Sequence, residues 1–186
     1  DIINQAITNF KINYREYGTI FLFWGWILTF ASISNFVILK ILIAKEAYQS
    51  MSFYSLGNWG LFLLTGFIIQ LILLRKIDHE KKVYSHLEEY IKNLWTVASI
   101  SFIIATAICV RLNINPPPIM LLLAGMATTT SGLLIKFKPV IIGGISFFIF
   151  SIIATFVTNE YIALVVSAAI ICGYLVPGYI LKSTKA

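Results

Sequence analysis

The sequence predicts an all-α, polytopic membrane protein of about six transmembrane helices arranged as three helical hairpins. Three observations carry that expectation. Hydrophobic residues make up 59% of the 186-residue chain and charged residues only 12%, where a soluble domain carries about 25% charged residues. Mean hydropathy is +0.87. The charged residues also collect between apolar runs, and those runs are long enough to cross a hydrocarbon core of about 30 Å. A soluble fold of this length leaves too much of its chain facing water to hide so much apolar surface.

The chain divides into a segment at 1–18 and a six-span membrane domain at 19–186. In the first segment Ile3, Ile7, Phe10, Tyr14 and Tyr17 recur at steps of three and four. That spacing puts them on one stripe of a helix. Polar residues fill the other faces, so an amphipathic helix at the membrane surface is expected, with partner binding as a second use. No basic, apolar and small-residue cleavage pattern opens the chain, and no signal peptide is expected.

Span 1 is read at about 19–43. Phe21, Phe23, Trp24 and Trp26 gather at its start, as aromatics do at the headgroup level; an aromatic ligand platform is the other reading. Span 2 is read at about 54–75 and carries Gln70 near its end. The stretch 75–93 is the most polar. It holds His79 and His86 seven residues apart, with Asp78, Glu80 and Glu89 nearby. A metal site normally needs three or four ligands in fixed geometry, so a solvated charged helix is the better reading there.

Span 3 is read at about 91–112, and Pro116 to Pro118 follow it. Prolines favour a stiff polyproline turn and also suit the first turn of a helix. Span 4 is read at about 117–136 and contains Thr128, Thr129, Thr130 and Ser131 in a row. These hydroxyls can bond the carbonyl one turn back or, with Gln70, line a polar cavity. Ala124, Thr128 and Gly132 repeat at four-residue steps, which allows a close helix contact. Span 5 (about 139–157) and span 6 (about 161–181) are joined by a turn too short for anything but an antiparallel hairpin. Pro177 and Gly178 in span 6 are a candidate hinge, because proline removes one backbone hydrogen bond.

A net charge of +6 would raise nucleic acid as a partner for a soluble protein. Here the basic residues sit at the ends of apolar runs, so no nucleic acid is expected. With six spans, Lys11, Arg15, Arg75, Lys76, Lys81, Lys82, Lys92, Lys136, Lys138, Lys182 and Lys185 share one side, and Lys40, Lys45 and Arg111 the other. Eleven against three puts both termini in the cytoplasm by the positive-inside rule. Cys109 and Cys172 lie in apolar runs and predict no disulfide. Thr29-Phe-Ala-Ser-Ile-Ser in span 1 is echoed by Thr96-Val-Ala-Ser-Ile-Ser in span 3, a weak hint of repeated hairpins.

No Asp, Glu, Lys or Arg falls in the middle of a span, which argues against proton relays and ion-coupled transport. No nucleophile–base pairing or phosphate loop is present, so no enzyme activity and no cofactor are expected. The stretches FLFWGWILTFASISNFVILK, SGLLIKFKPVIIGG and LVPGYIL resemble a family of small uncharacterised bacterial inner-membrane proteins, over about residues 3–181. The resemblance implies a polytopic inner-membrane protein and supplies no activity. The expected function is a non-enzymatic membrane protein that binds lipid or a protein partner, through 1–17 or 75–93, and could form a homo-oligomer. The alternatives are a small transporter or channel for an uncharged solute or lipid, and a metal protein or enzyme using His79 and His86.

Overall fold

The computed structural model describes the backbone of residues 2–78, 86–157 and 160–183, and the side chains of 18–72, 89–157 and 160–183. All the described structure is helical or in turns between helices. The elements are α1 (Ile2–Ala44), a single 3₁₀ turn (Tyr48–Ser50), α2 (Met51–Asp78), α3 (His86–Leu112), α4 (Pro117–Leu134) and α5 (Lys138–Phe156). Then come α6 (Tyr161–Ile170), a π-helical turn (Ile171–Leu175) and α7 (Val176–Ser183). The last three are one continuous span. Six stretches are long and apolar enough to cross a membrane: Gly18–Ala44, Tyr48–Ile72, Glu89–Leu112, Pro117–Leu134, Lys138–Phe156 and Tyr161–Ser183.

α1 runs through Gly18 without a break. Its backbone therefore does not separate residues 2–18 from span 1, and residue 1 and the side chains of 2–17 lie outside the described residues. The prolines at 116–118 open α4. Pro116 already has helical dihedrals of φ −66° and ψ −36°, so the polyproline conformation expected there gives way to helix. Pro117 and Pro118 occupy positions whose amides have no intrahelical acceptor in any case.

Three helices end in the same way. The amide of Ala47 bonds the carbonyl of Leu42 (2.9 Å), Ile114 bonds Cys109 (2.9 Å) and Phe137 bonds Gly132 (3.0 Å). This is the Schellman closure, which needs a left-handed residue just before the donor. Glu46 (φ 56°), Asn113 (φ 54°) and Lys136 (φ 54°) fill that position. Asparagine tolerates the conformation, whereas a long side chain there costs roughly 1 kcal/mol. Glu46→Gly is therefore expected to raise the unfolding midpoint in micelles, and Asn113→Gly to leave it nearly unchanged. Equal effects would remove left-handed strain as the cause.

The three expected hairpins are present as neighbouring pairs: α1 with α2, α3 with α4, and α5 with α6. The most extensive contact joins two of them, between α4 and α5, and α1 packs along α6, the π turn and α7. Burial divides the spans accordingly. The final span is 56% buried, α4 39%, α5 33% and span 1 22%, but spans 2 and 3 only 6% each. Spans 1, 4, 5 and 6 form the centre, while α2 leans chiefly on α1 and α3 chiefly on α4. α3 does so with one stripe, Ile91, Leu94, Trp95, Ala98, Phe102, Ala105, Thr106 and Cys109, which are buried or half-buried.

Lipid tails are as apolar as the helices, so close packing and hydrogen bonds must hold such a bundle together. Small residues supply the packing. A Cβ on Gly125 would lie 3.1 Å from the Gly144 carbonyl oxygen, and one on Gly132 would lie 2.7 Å from the Ile141 amide. At the other seam, a Cβ on Gly18 would lie 3.2 Å from the Gly178 carbonyl oxygen. The expected Ala124, Thr128 and Gly132 face is buried throughout, and Gly125, Thr129 and Gly132 beside it make close approaches to α5.

Candidate functional site

A hydroxyl inside a membrane span ordinarily bonds its own helix, because no water competes. Most of this chain follows that rule. Thr29 donates to Gly25 O (2.7 Å), Thr96 to Lys92 O (2.8 Å), Ser99 to Trp95 O (2.7 Å), Thr130 to Met126 O (2.8 Å) and Ser131 to Ala127 O (2.8 Å). The polar groups that break the rule mark where the interior does something more specific.

One set joins helices. Ser32 is fully buried in α1 and donates to the carbonyl of Ala163 in α6 (2.6 Å). Ser151 of α5 donates to Pro118 O of α4 (2.7 Å). Between α1 and α2, Ser34 donates to Asn58 Oδ1 (2.7 Å), and Asn58 Nδ2 donates to Ala31 O (2.9 Å). Trp24 Nε1 donates to Gln70 Oε1 (2.8 Å) farther along the same seam, and Gly66 lets the Trp24 ring approach α2. α2 is thus fastened at two levels to α1. Phe21 and Trp24, expected as headgroup anchors, are packing and bonding groups inside the bundle.

A second set joins nothing in the chain. Asn35 Oδ1, Ser167 Oγ, Thr128 Oγ1 and Thr129 Oγ1 are buried with no hydrogen-bond partner. Asn35 is 5% exposed, Ser167 7% and Thr128 0%. Thr129 Oγ1 has a physical explanation: it faces the Cα of Gly144, where the missing side chain leaves room for it. A Cα–H···O contact of that kind is weakly favourable.

Tyr174, in the π turn, is the hub of the surrounding aromatics. Its ring centroid lies 4.9 Å from Phe147 of α5, 5.7 Å from Phe21 of α1 and 6.5 Å from Trp95 of α3. Its hydroxyl reaches Thr128 of α4, but the two do not meet in hydrogen-bond geometry. Offset and edge-to-face rings at these separations attract one another. One side chain therefore ties together four spans at the level of the π turn.

The turn itself follows from Pro177. Proline has no amide to give to the carbonyl four residues back, that of Gly173. The helix widens just before it, and Val176 N–H bonds Ile171 O, five residues away. α5 packs its backbone against this place: a Cβ on Gly143 would lie 2.8 Å from Gly173 O and 3.0 Å from Pro177. Gly178 faces Leu22 of α1 on the other side. The candidate hinge at Pro177 and Gly178 is therefore held between α1 and α5.

The residues predicted for a polar cavity do not all come together. Gln70 lies on the α1–α2 seam, while Thr128 to Ser131 lie in α4 against α5 and the final span. Within the tract, Thr130 and Ser131 bond their own helix and only Thr128 and Thr129 do not. Sequence reading missed Ser32, Asn35, Asn58 and Ser167. The two asparagines, amides inside apolar runs, were the visible signal. His79 lies outside the described residues, as does the side chain of His86. Among the described residues no three His, Cys, Asp or Glu gather as metal ligands, and Cys109 and Cys172 are free. The hydroxyls of the Thr29/Thr96 echo differ in role, since Ser32 bridges helices while its counterpart Ser99 is exposed and bonds Trp95 O. Comparison with protein-family models, curated proteins and solved structures finds no match to the chain.

Proposed function

We propose that this chain is a non-enzymatic, multi-pass protein of a bacterial inner membrane, with both termini in the cytoplasm, that binds lipid or a protein partner. The observation that carries the reading is the exposure of spans 2 and 3. Each leans on one main neighbour and leaves a broad apolar face, including Leu61, Leu64 and Ile68 on α2 and Val97, Ile100 and Ile104 on α3. A further support is electrostatic. Lys92, Lys136, Lys138 and Lys182 are exposed, and six crossings put them at one end of the bundle. Basic side chains at the cytoplasmic face attract anionic headgroups at about 1 kcal/mol each, which favours an anionic lipid over a neutral one. The orientation rests on the eleven-to-three division of Lys and Arg, and the bacterial inner membrane on the resemblance drawn from the sequence.

Lipid retention tests this. The full chain, purified in a mild detergent and offered equal anionic and zwitterionic phospholipid, is expected to keep the anionic one, as read by native mass spectrometry. The pair Lys136→Glu and Lys138→Glu should lower that retention several-fold. A photo-crosslinker at Leu64 or Ile104 that captures one protein in the membrane would instead identify a protein partner. No lipid preference and no captured protein would overturn the proposal.

A further inference from the structure

One aromatic pair on the outer face of the bundle is fastened across helices and still has a donor to give. α1 and α7 run antiparallel in close contact. Gly18 lies beside Lys182, Leu22 beside Gly178 and Gly25 beside Leu175. On the outward side of this seam, Trp26 Nε1 donates to the hydroxyl oxygen of Tyr179 at 3.2 Å. The Trp26 ring stacks on Phe30, with centroids 5.7 Å apart and planes inclined at 28°. Trp26 is 43% exposed, Phe30 55%, Val176 48% and Tyr179 52%. Lys182 is also exposed. It lies three residues beyond Tyr179, about 4.5 Å farther toward the end of the span.

Tryptophans at a membrane boundary ordinarily spend the indole N–H on headgroups or water. Trp26 cannot, because its single donor is taken by Tyr179. The phenol is in the opposite position. Its oxygen accepts from Trp26, and the indole has no lone pair to offer in return, so the O–H proton goes elsewhere. Among the described residues, Tyr179 makes no other hydrogen bond. A free O–H facing hydrocarbon is costly. The acceptors that lipid itself brings to this depth are the ester carbonyls of a glycerophospholipid. In such a lipid the phosphate lies outside the esters and the acyl chains inside them. The seam has the same order, with Lys182 outermost, Tyr179 one turn deeper, and the apolar face of Trp26, Phe30 and Val176 below.

We propose that the outward seam of α1 and α7 binds one ester-linked anionic glycerophospholipid. Lys182 attracts its phosphate, the Tyr179 hydroxyl donates to an ester carbonyl, and Trp26, Phe30 and Val176 carry an acyl chain. The bond from Trp26 holds the phenol in place and polarises it toward donation. The site rests on the lipid-binding reading above and adds to it a place on the bundle and a chemical preference.

A lipid competition on the full chain in mild detergent, read by native mass spectrometry, tests the site. Diester and diether phosphatidylglycerol, matched in chain length, are offered in equal amounts with phosphatidylcholine as the zwitterionic competitor. The unaltered chain is expected to keep the diester phosphatidylglycerol about threefold over the diether, the discrimination that one exposed hydrogen bond supports. Tyr179→Phe should erase that ratio without moving the unfolding midpoint, whereas Tyr161→Phe, at the other end of the bundle, should preserve it. Lys182→Gln should lower the retention of both phosphatidylglycerols several-fold and keep their ratio. Phosphatidylglycerol retained over phosphatidylcholine with no diester preference would overturn the seam site and leave the lipid-binding reading standing, as would a diester preference that survives Tyr179→Phe. No preference of any kind among the three lipids would overturn both.

Discussion

Gly144→Ala is expected to destabilise the bundle by roughly 3 kcal/mol, an unusually large effect for one added methyl group. A Cβ at Gly144 would lie 2.5 Å from the amide nitrogen of Thr129 and 2.7 Å from its Cα. These are backbone atoms of a neighbouring helix and cannot swing away. The axes of α4 and α5 would have to separate, and that seam is the most extensive contact in the protein. Gly57→Ala supplies the control. A Cβ there meets nothing within 4 Å, so alanine should stabilise α2 by up to about 1 kcal/mol through helix propensity. Unfolding midpoints of both variants, measured in the same micelles, check the pair. If Gly144→Ala behaves like Gly57→Ala, α4 and α5 are not in backbone contact.

The second large effect is expected at Gly173. A Cβ there would overlap the ring of Phe147, which is 1% exposed and packed against Tyr174. The ring projects from α5 against the π turn and is almost wholly enclosed. Gly173→Ala should cost about 2–3 kcal/mol, in the range for overpacking a filled core. The obstacle is a side chain here, so it can be removed. In a Phe147→Leu background the penalty of Gly173→Ala should fall by about 1 kcal/mol or more, as contacting residues couple in a double-mutant cycle. Additive penalties would mean that Phe147 is not what confines Gly173. The same cycle built on Gly144 has no comparable rescue, because no side-chain change moves the Thr129 backbone.

Much of the scaffold was legible from local pattern. The run lengths gave six spans, and the connections at 136–139 and 157–160 made α4–α5 and α5–α6 sequential neighbours. Proline chemistry placed the opening of α4 and the disturbance before Pro177. Less of the candidate site was legible. The tract 128–131 was visible as four hydroxyls, but their division was not. Thr130 and Ser131 bond their own helix, Thr129 meets Gly144, and Thr128 faces Tyr174. Which of four successive residues faces a neighbour depends on how the helix is rotated, and hydropathy varies too little around a membrane helix to reveal it.

By itself, then, the sequence determined the solvent, the number of crossings and the division of charge between the two sides. Each of these follows from length and composition, which a bilayer of fixed thickness reads directly. Tertiary structure decided that spans 1, 4, 5 and 6 form the centre while 2 and 3 stand outside it. It also decided that Gln70 serves α1 and not the threonine tract, and that Thr128 and Thr129, unlike Thr130 and Ser131, do not bond their own helix. Lipid does not favour one apolar face over another, so the arrangement is set by glycine-scale fit and by a few interhelical hydrogen bonds. Those depend on register between distant segments, such as Ser32 with Ala163 or Gly143 with Gly173.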